Sequence, residues 1–493
     1  MTGVADQPVP TDDLVHGFDA DLGDRPAGEL EQLLGGKGAV LAALTQLGLP
    51  VPPGFTLTTV AFHRYRREGW GADLDRALAD GLASLERATG ARLGDPAAPL
   101  LVSVRSGAAR SMPGMLDSLL DVGVTPAVVE ALAARTGDHR FADDTWARAR
   151  RGWASVVGDD LPTDPHEQLA GAVRAVFDSW DGERVRRFRD VEGIDGDLGT
   201  AASVQAMVFG NRSGRSGTGV AFTRDPSTGE PGLMGDFLPE AQGDDVVAGG
   251  SVTGRLSELR TRWPEVWDEL VGIAERLEHH FADMVDIEVT VEDGRLWLLQ
   301  ARPARRSRHA AVRVAVDLAD DPSFPLDRAG AVARCRHLLE LPDEQGSAEV
   351  DGGEVVVRGL AASPGRAVGV LCVDPEHVGA LEAEGLDVVL ARPETSPADV
   401  PAIASARGLV TALGGLVSHA AVVARSWGLP AVVGAAELRI DADGVEGPGG
   451  RVEAGEVVTV DGDRGELLRG AHPGAAPAPP ELATLRRWAA ELA

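Results

Sequence analysis

The chain has 493 residues with 76 acidic against 47 basic side chains, a net charge of −29 with histidines neutral, an excess that disfavours nucleic acid and anionic membranes as partners. With 44% hydrophobic and 25% charged residues it has the composition of a folded protein, long enough for roughly two to four domains, and disorder throughout is excluded. No run approaches the roughly 18 apolar residues of a membrane helix, the opening MTGVADQPVPTDD lacks signal-peptide order, and Cys335 and Cys372 are the only cysteines; a reducing, cytoplasmic location is expected.

The basic residues are almost all Arg, and the single lysine, Lys37, lies in Gly35-Gly36-Lys37-Gly38. This segment reads as a loop that opens a helix over AVLAALTQL, closed by Gly48, after which LPVPPGFTLTT reads as loop into strand. It is not a Walker A sequence, because position 31 is Glu and Gly38 follows the lysine. Glycines still admit backbone N–H groups to an anion at a helix start, with Lys37 adding charge; a surface turn competes with that reading. In LVSVRSGAARSMPGM, Arg105 ends an apolar strand-like run beside Gly107, where it can grip a phosphate or form a structural salt bridge. Residues 126–190 carry helical patterns, and the strands ASVQAMVFG and TGVAFTRD follow, joined by NRSGRSG as a hairpin tip.

The segment DIEVTVEDGRLWLLQAR reads as a hairpin with Asp286 and Glu288 on one face of its first strand, able to hold Mg²⁺, or else simply solvated. A two-residue turn at Asp293-Gly294 would pair residue 300 with 287, on the wrong face. A three-residue loop from Glu292 to Gly294 pairs 300 with 286 and brings Gln300 and Arg302 to the carboxylates, and this register is the one expected. Residues 306–353 read as a linker, and 354–470 alternate short strands with helices, as in a small α/β domain. Within it, GGLVSHAAVVARSWG places His419 in the first turn of a helix capped by Ser418 and ended by Gly428. There the helix dipole disfavours imidazolium and favours a phosphoryl group on the ring, although a capped-helix histidine can also be structural. No second histidine stands at metal-ligand spacing. Residues 471–493 read as a Pro/Ala spacer and a short amphipathic tail helix.

Taken together, these segments resemble the pyruvate, phosphate dikinase family in the same order over most of residues 28–470. The blocks that carry the likeness are GGKGAVLAALTQLGLPVPPGFTLTT, VSVRSGAARSMPGMLDSLLDVG, FGNRSGRSGTGVAFTRDPSTGE, AQGDDVVAG, DIEVTVEDGRLWLLQAR, GLAASPGRAVG, PETSPADV and GGLVSHAAVVAR. The resemblance implies an α/β and α+β multidomain protein. Residues 1–305 would be an ATP-grasp nucleotide-binding domain with its helical inset at 126–190, and 354–470 a swivelling phosphohistidine domain. Lys37 and Arg105 would hold ATP phosphates, and Asp286, Glu288, Gln300 and Arg302 would complete the nucleotide and Mg²⁺ site. The stretch Ser216, Gly217, Thr218 and Gly219 would be a mobile lid over the phosphates, and His419 would take a phosphoryl group from ATP with inorganic phosphate as the paired acceptor, yielding AMP and pyrophosphate.

The sequence departs from the family in several places. Only 23 residues follow position 470, whereas the family's pyruvate-binding (β/α)₈ barrel needs about 200, so a separate barrel subunit is expected to take up the phosphoryl group. Val417 replaces a regulatory threonine, Leu413 an arginine and Asp236 a glutamate, and the helical region after Arg105 looks shortened. A second reading keeps the ATP chemistry but gives the phosphoryl group to another small molecule. A third, of a different class, is a non-catalytic ATP-binding subunit whose tail helix docks a partner.

Overall fold

The computed structural model describes residues 14–23, 25–110, 112, 116–243, 254–339, 353–416, 418–473 and 479–492. Met1–Arg212 with Trp297–Gln300 form one compact unit, and Ser213–Leu296 with Ala301–Ala493 a second. No helix among the described residues is long and apolar enough to cross a membrane.

In the first unit, strands β1 (Val15–Gly17) and β2 (Gly54–Leu57) precede a short parallel ladder of β3 (Arg92–Leu93) and β4 (Pro99–Leu100). They are followed by β5 (Val102–Ala108), β6 (Ser118–Val122) and β7 (Thr200–Ala206), and the main sheet has the order β1-β2-β7-β5-β6, antiparallel throughout. Helix α1 (Ala27–Gln46) packs on β5. The expected helical inset is present as Pro126–Thr136, His139–Val156, Pro165–Ser179 and Glu183–Glu192. The first three of these start at a Thr or Asp whose side chain accepts an N-terminal N–H, removing one orphan donor each. Their apolar faces join the core: Val173, Val176, Phe177 and Trp180 are all at most 1% exposed.

The second unit holds three sheets. The first has the order β10-β9-β8-β11-β12, built from β8 (Gly217–Arg224), β9 (Pro231–Pro239), β10 (Gly254–Arg255), β11 (Val285–Glu292) and β12 (Arg295–Pro303), with residues 297–300 of β12 counted in the first unit. Since β7 and β8 lie in different sheets, NRSGRSG is a connection between sheets rather than the tip of a hairpin. The second sheet comprises β13 (Val355–Arg358), β14 (Leu360–Ser363), β15 (Arg366–Cys372), β16 (Val388–Arg392), β17 (Gly408–Thr411) and β18 (Ala431–Val433), closed by β22 (Val457–Asp461) and β23 (Glu466–Arg469). Between these, β19 (Arg439–Ile440), β20 (Gly444–Gly447) and β21 (Gly450–Glu453) make a small antiparallel sheet. Strands β15 to β18 run parallel with helices between them, as the alternating pattern requires.

Where it is described, the expected linker is helical and packed. Helices Arg308–Asp320 and Arg328–Arg334 bury Val314, Leu318 and Ala331 in a cluster with Phe222, Met284 and the tail helix Glu481–Glu491. Leu482, Leu485 and Trp488 of that tail are at most 3% exposed, and burying such side chains stabilises by roughly 1.5–3 kcal/mol each. The tail's apolar face is therefore covered by its own chain, which removes the ground for expecting it to dock a partner. The acidic stretch 340–352 and the spacer residues 474–478 lie outside the described residues.

Candidate functional site

The lysine segment differs from a free loop. Helix α1 runs through it with one break at Gly35, whose backbone lies at φ 68° and ψ 159°, so Lys37 falls in the first turn of the helix that resumes. Glycine is required at the break twice over: the φ is left-handed, and a side chain there would run into the Gly107 carbonyl oxygen. This close approach sets α1 against the end of β5. A Cβ added to Gly107 would lie 3.4 Å from the Lys37 Cβ, so Lys37 stands beside the strand end that carries Arg105. Arg105 itself pairs with Ser118 and Ser203 on the flanking strands and, like Lys37, is half-buried. The two cations expected to hold phosphates thus come from one corner of the first unit, at a helix N-terminus. Of the neighbouring SMPGM block, Met112 is buried and the other four residues lie outside the described set.

In the second unit, Asp286 and Glu288 share one face of β11, while Ile287, Val289 and Val291 are 0% exposed on the other, as the alternation dictates. The turn expected to be three residues long is the two-residue turn: β11 ends at Glu292, β12 starts at Arg295, and Asp293 (φ 52°) and Gly294 (φ 83°) both have the positive φ of a type I′ hairpin. Arg302 nonetheless meets the carboxylate. At the open end of the hairpin Ala304 N–H donates to Met284 O, one residue out of the register that a two-residue turn sets, so β12 carries an extra residue in between. Arg302 places both Nε and Nη2 2.9 Å from Asp286 Oδ2. Gln300 sits half-buried two residues earlier on the same strand, within the part assigned to the first unit.

Asp286 is 6% exposed, and its burial pushes the carboxyl pKa up against the opposing pull of Arg302. Its second oxygen, Oδ1, is buried without a hydrogen-bond partner among the described residues. A buried orphan carboxylate oxygen with a second carboxylate two residues away is a donor set that suits Mg²⁺, whose remaining positions phosphate oxygens and water can fill. No three His, Cys, Asp or Glu side chains among the described residues converge to hold a metal alone. The face carries one more acid that the sequence reading noted only as a substitution: Asp236 on β9 is in register with Val220 of β8, itself in register with Glu288.

Of the lid expected at Ser216 to Gly219, Gly217 to Gly219 are instead the start of strand β8, and Ser216 directly precedes it. Ser216 and Thr218 are at most 2% exposed. The Ser216 hydroxyl accepts the Asp293 N–H at 3.0 Å, and the Thr218 hydroxyl donates to the Val289 carbonyl at 3.1 Å. These four residues pin the hairpin turn and the sheet, and moving them would break buried hydrogen bonds. Of AQGDDVVAG, residues 244–249 lie outside the described set.

His419 begins the helix His419–Trp427, with the Ser418 hydroxyl accepting the Ala421 N–H and Gly428 closing the helix in the left-handed conformation, as the sequence pattern requires. The ring is half-buried. Its Nδ1 lies 3.4 Å from the Thr395 hydroxyl; with Nδ1–H donating there, the lone pair is left on Nε2. Thr395 comes from the PETSPADV block, to which the sequence reading gave no role. Burial lowers the His419 pKa below 6.5, opposed by the Asp399 carboxylate, itself 6% exposed beside Arg392. The imidazole is therefore neutral at neutral pH, and its charging on acidification works against the fold as pH drops through the lowered value. Single-turnover phosphorylation of His419, followed from about pH 5 to about pH 8, should show an acid limb with its midpoint below the ordinary 6.5. A midpoint at or above 6.5 would contradict an imidazole held neutral by burial. Val417 lies outside the described residues, and Leu413 is half-buried with its N–H donated to the Pro393 carbonyl.

The chain matches the family model described as pyruvate phosphate dikinase, AMP/ATP-binding domain, over residues 70–255 and 256–321, and that of the PEP-utilising enzyme, mobile domain, over 386–465. It is similar to the chloroplastic pyruvate, phosphate dikinase of Mesembryanthemum crystallinum, with 40% identity over 518 residues covering 94% of this chain and 54% of that protein. Chloroplastic pyruvate, phosphate dikinase 1 of Oryza sativa subsp. japonica is 41% identical with the same coverage. Pyruvate, phosphate dikinase 2 of Zea mays is 40% identical over 93% of this chain and 58% of its own length. The chain thus spans about half the length of the curated relatives it matches.

Proposed function

The chain belongs to the pyruvate, phosphate dikinase family, and from that premise we propose that it is an ATP-dependent phosphotransferase that carries a phosphoryl group on His419. The observation that supports this most directly is the pairing, within one compact unit, of a capped-helix histidine held neutral by burial with a sheet face bearing Asp286, Glu288 and Arg302. Lys37 and Arg105 would neutralise ATP phosphates. Asp286 and Glu288 would hold Mg²⁺, which when bound offsets charge on the phosphate oxygens. Arg302 keeps Asp286 oriented through its two-pronged contact. Gln300 would contact the nucleotide.

In the proposed half-reaction the lone pair of His419 Nε2 forms a bond to phosphorus, and AMP departs with the bridging oxygen. The γ-phosphoryl group passes to inorganic phosphate as pyrophosphate, and one phosphoryl group remains on the ring. The positive helix terminus under His419 favours that anion. Delivery onward would be to pyruvate on a separate barrel subunit, in a reducing cytoplasm suited to the two buried free thiols. Intact-protein mass after incubation with ATP and Mg²⁺, with and without inorganic phosphate, tests the reading alongside AMP and pyrophosphate assays. An acid-labile adduct with pyrophosphate formed only in the presence of phosphate is the expected result. No adduct in either condition would overturn the proposal.

A further inference from the structure

We infer that the helical inset carries a second binding site, a cavity along helix Pro165–Ser179 that takes a small organic cation: a protonated amine on an apolar body bearing one acceptor oxygen. The cavity lies wholly in the first unit and uses none of the residues assigned to ATP, Mg²⁺ or phosphoryl transfer.

The site follows from how this helix divides its faces. Leu169, Ala172, Val173, Val176 and Phe177 recur at helical spacing, are at most 1% exposed and join the core. On the opposite face, Glu167, Ala170, Gly171, Arg174 and Asp178 line a cavity of about 840 Å³, within the roughly 300–1,000 Å³ of small-molecule sites. Trp153, Val156 and Val157, at the end of helix His139–Val156, give it an apolar lining together with Ala170 and Ala175.

Trp153 is 3% exposed, yet its indole N–H has no hydrogen-bond partner among the described residues. A buried donor left in that state carries its full desolvation penalty, so an acceptor brought into the cavity is favoured. The ring's place depends on Gly171: a Cβ there would lie 2.7 Å from Trp153 Cη2 and 3.3 Å from Cζ2. The indole edge next to the nitrogen thus meets the helix at its one bare position, which accounts for a glycine in a helix interior.

Four carboxylates, Asp75, Asp117, Glu167 and Asp178, line the cavity against Arg174 and His166. Asp117 is paired with Arg184, but two of the others are held by neutral donors. Trp70 Nε1–H donates to Asp75 Oδ1 at 2.6 Å, and the Tyr65 hydroxyl to Asp178 Oδ1 at 3.0 Å. Burial, helped by the Asp178 carboxylate, pushes the Tyr65 phenol up to about 12, so it remains a donor at neutral pH. Such donors orient a carboxylate without cancelling its charge, and Arg174 lies over the Trp70 ring at 5.5 Å from its centre. An ammonium complements the remaining negative charge while the apolar lining takes the body of the ligand.

Tyramine, a phenol on a short alkyl ammonium, is the probe, read by isothermal titration and saturation-transfer NMR on the full chain. It should bind, phenethylamine, which lacks the oxygen, should bind more weakly, and para-hydroxyphenylacetate, with a carboxylate for the ammonium, should not bind. Asp178→Asn keeps the acceptor for Tyr65 and removes one charge from a net −29. It should weaken tyramine about 10-fold, the scale of one charge-assisted hydrogen bond, whereas diffuse attraction to an acidic protein would hardly change. Ala170→Phe, which fills the cavity from the helix, should abolish binding, and Trp153→Phe should erase the preference for tyramine over phenethylamine. Thermal unfolding checks that each variant is folded. Equal binding of the amine and the carboxylate, or undiminished tyramine affinity in Asp178→Asn, would overturn the site. A preference for tyramine that survives Trp153→Phe would overturn the assignment of the indole N–H.

Discussion

His419→Ala is expected to abolish the acid-labile adduct, lowering transfer of label from β-labelled ATP by at least about three orders of magnitude while leaving the fold intact. The size of the effect follows from chemistry: the imidazole Nε2 is the atom that would bond to phosphorus, and alanine offers no lone pair. The mildness on stability follows from position. His419 is half-buried in the first helical turn, and its one side-chain hydrogen bond among the described residues is the long 3.4 Å approach to Thr395. Alanine is a good helix former, and the cap from Ser418 remains, so the unfolding free energy should move by about 1 kcal/mol or less. Retained labelling in this variant would show that the phosphoryl group resides elsewhere, and peptide mapping of the adduct would find where.

Asp286→Asn should damage both chemistry and fold. The substitution keeps the shape but removes the charge opposite Arg302, whose Nε and Nη2 both bond to Asp286 Oδ2. Leaving a buried cation unpaired costs about 3–5 kcal/mol when both partners are enclosed. Here the Asp286 side chain is 7% exposed but that of Arg302 is 37% exposed, so solvent screens part of the loss and about 2 kcal/mol is the expected destabilisation. ATP-dependent labelling should fall about 10³-fold, the scale of losing one preorganised electrostatic contact, and the Mg²⁺ concentration for half-maximal nucleotide binding should rise. Chemical denaturation separates the fold from the chemistry, since both effects come from one carboxylate. Unchanged Mg²⁺ dependence, with the destabilisation present, would reduce Asp286 to a structural partner of Arg302 and remove it from the metal site.

What was legible in the sequence was local. Ser418 and Gly428 bracket a nine-residue helix because a hydroxyl cap and a left-handed glycine satisfy orphan backbone groups wherever they occur. Asp286 and Glu288 share a face because strand side chains alternate. Three of the four inset helices follow from apolar periodicity with Thr or Asp at their starts. These features depend on a few consecutive residues, so reading them needs no knowledge of what lies opposite. The family likeness likewise rests on short blocks in order.

Errors arose where one segment's conformation depends on a distant one. A three-residue turn would bring Arg302 to the carboxylates; the structure instead uses a two-residue turn and an extra residue in β12, which periodicity cannot reveal because either route puts the same side chain on the same face. Ser216 to Gly219 look like a loop because glycines are permissive, yet pairing with β9 and β11 makes Gly217 to Gly219 strand. The linker and tail helices are legible one at a time, but only their mutual packing buries Leu318, Leu485 and Trp488. The family, the histidine helix and the carboxylate strand are thus legible in the chain alone, since each is encoded by neighbouring residues. Tertiary structure alone decided that Gly35 brings Lys37 to the Arg105 strand, and that Tyr65 meets Asp178, because close approaches between residues dozens or hundreds of positions apart leave no periodic trace in the chain.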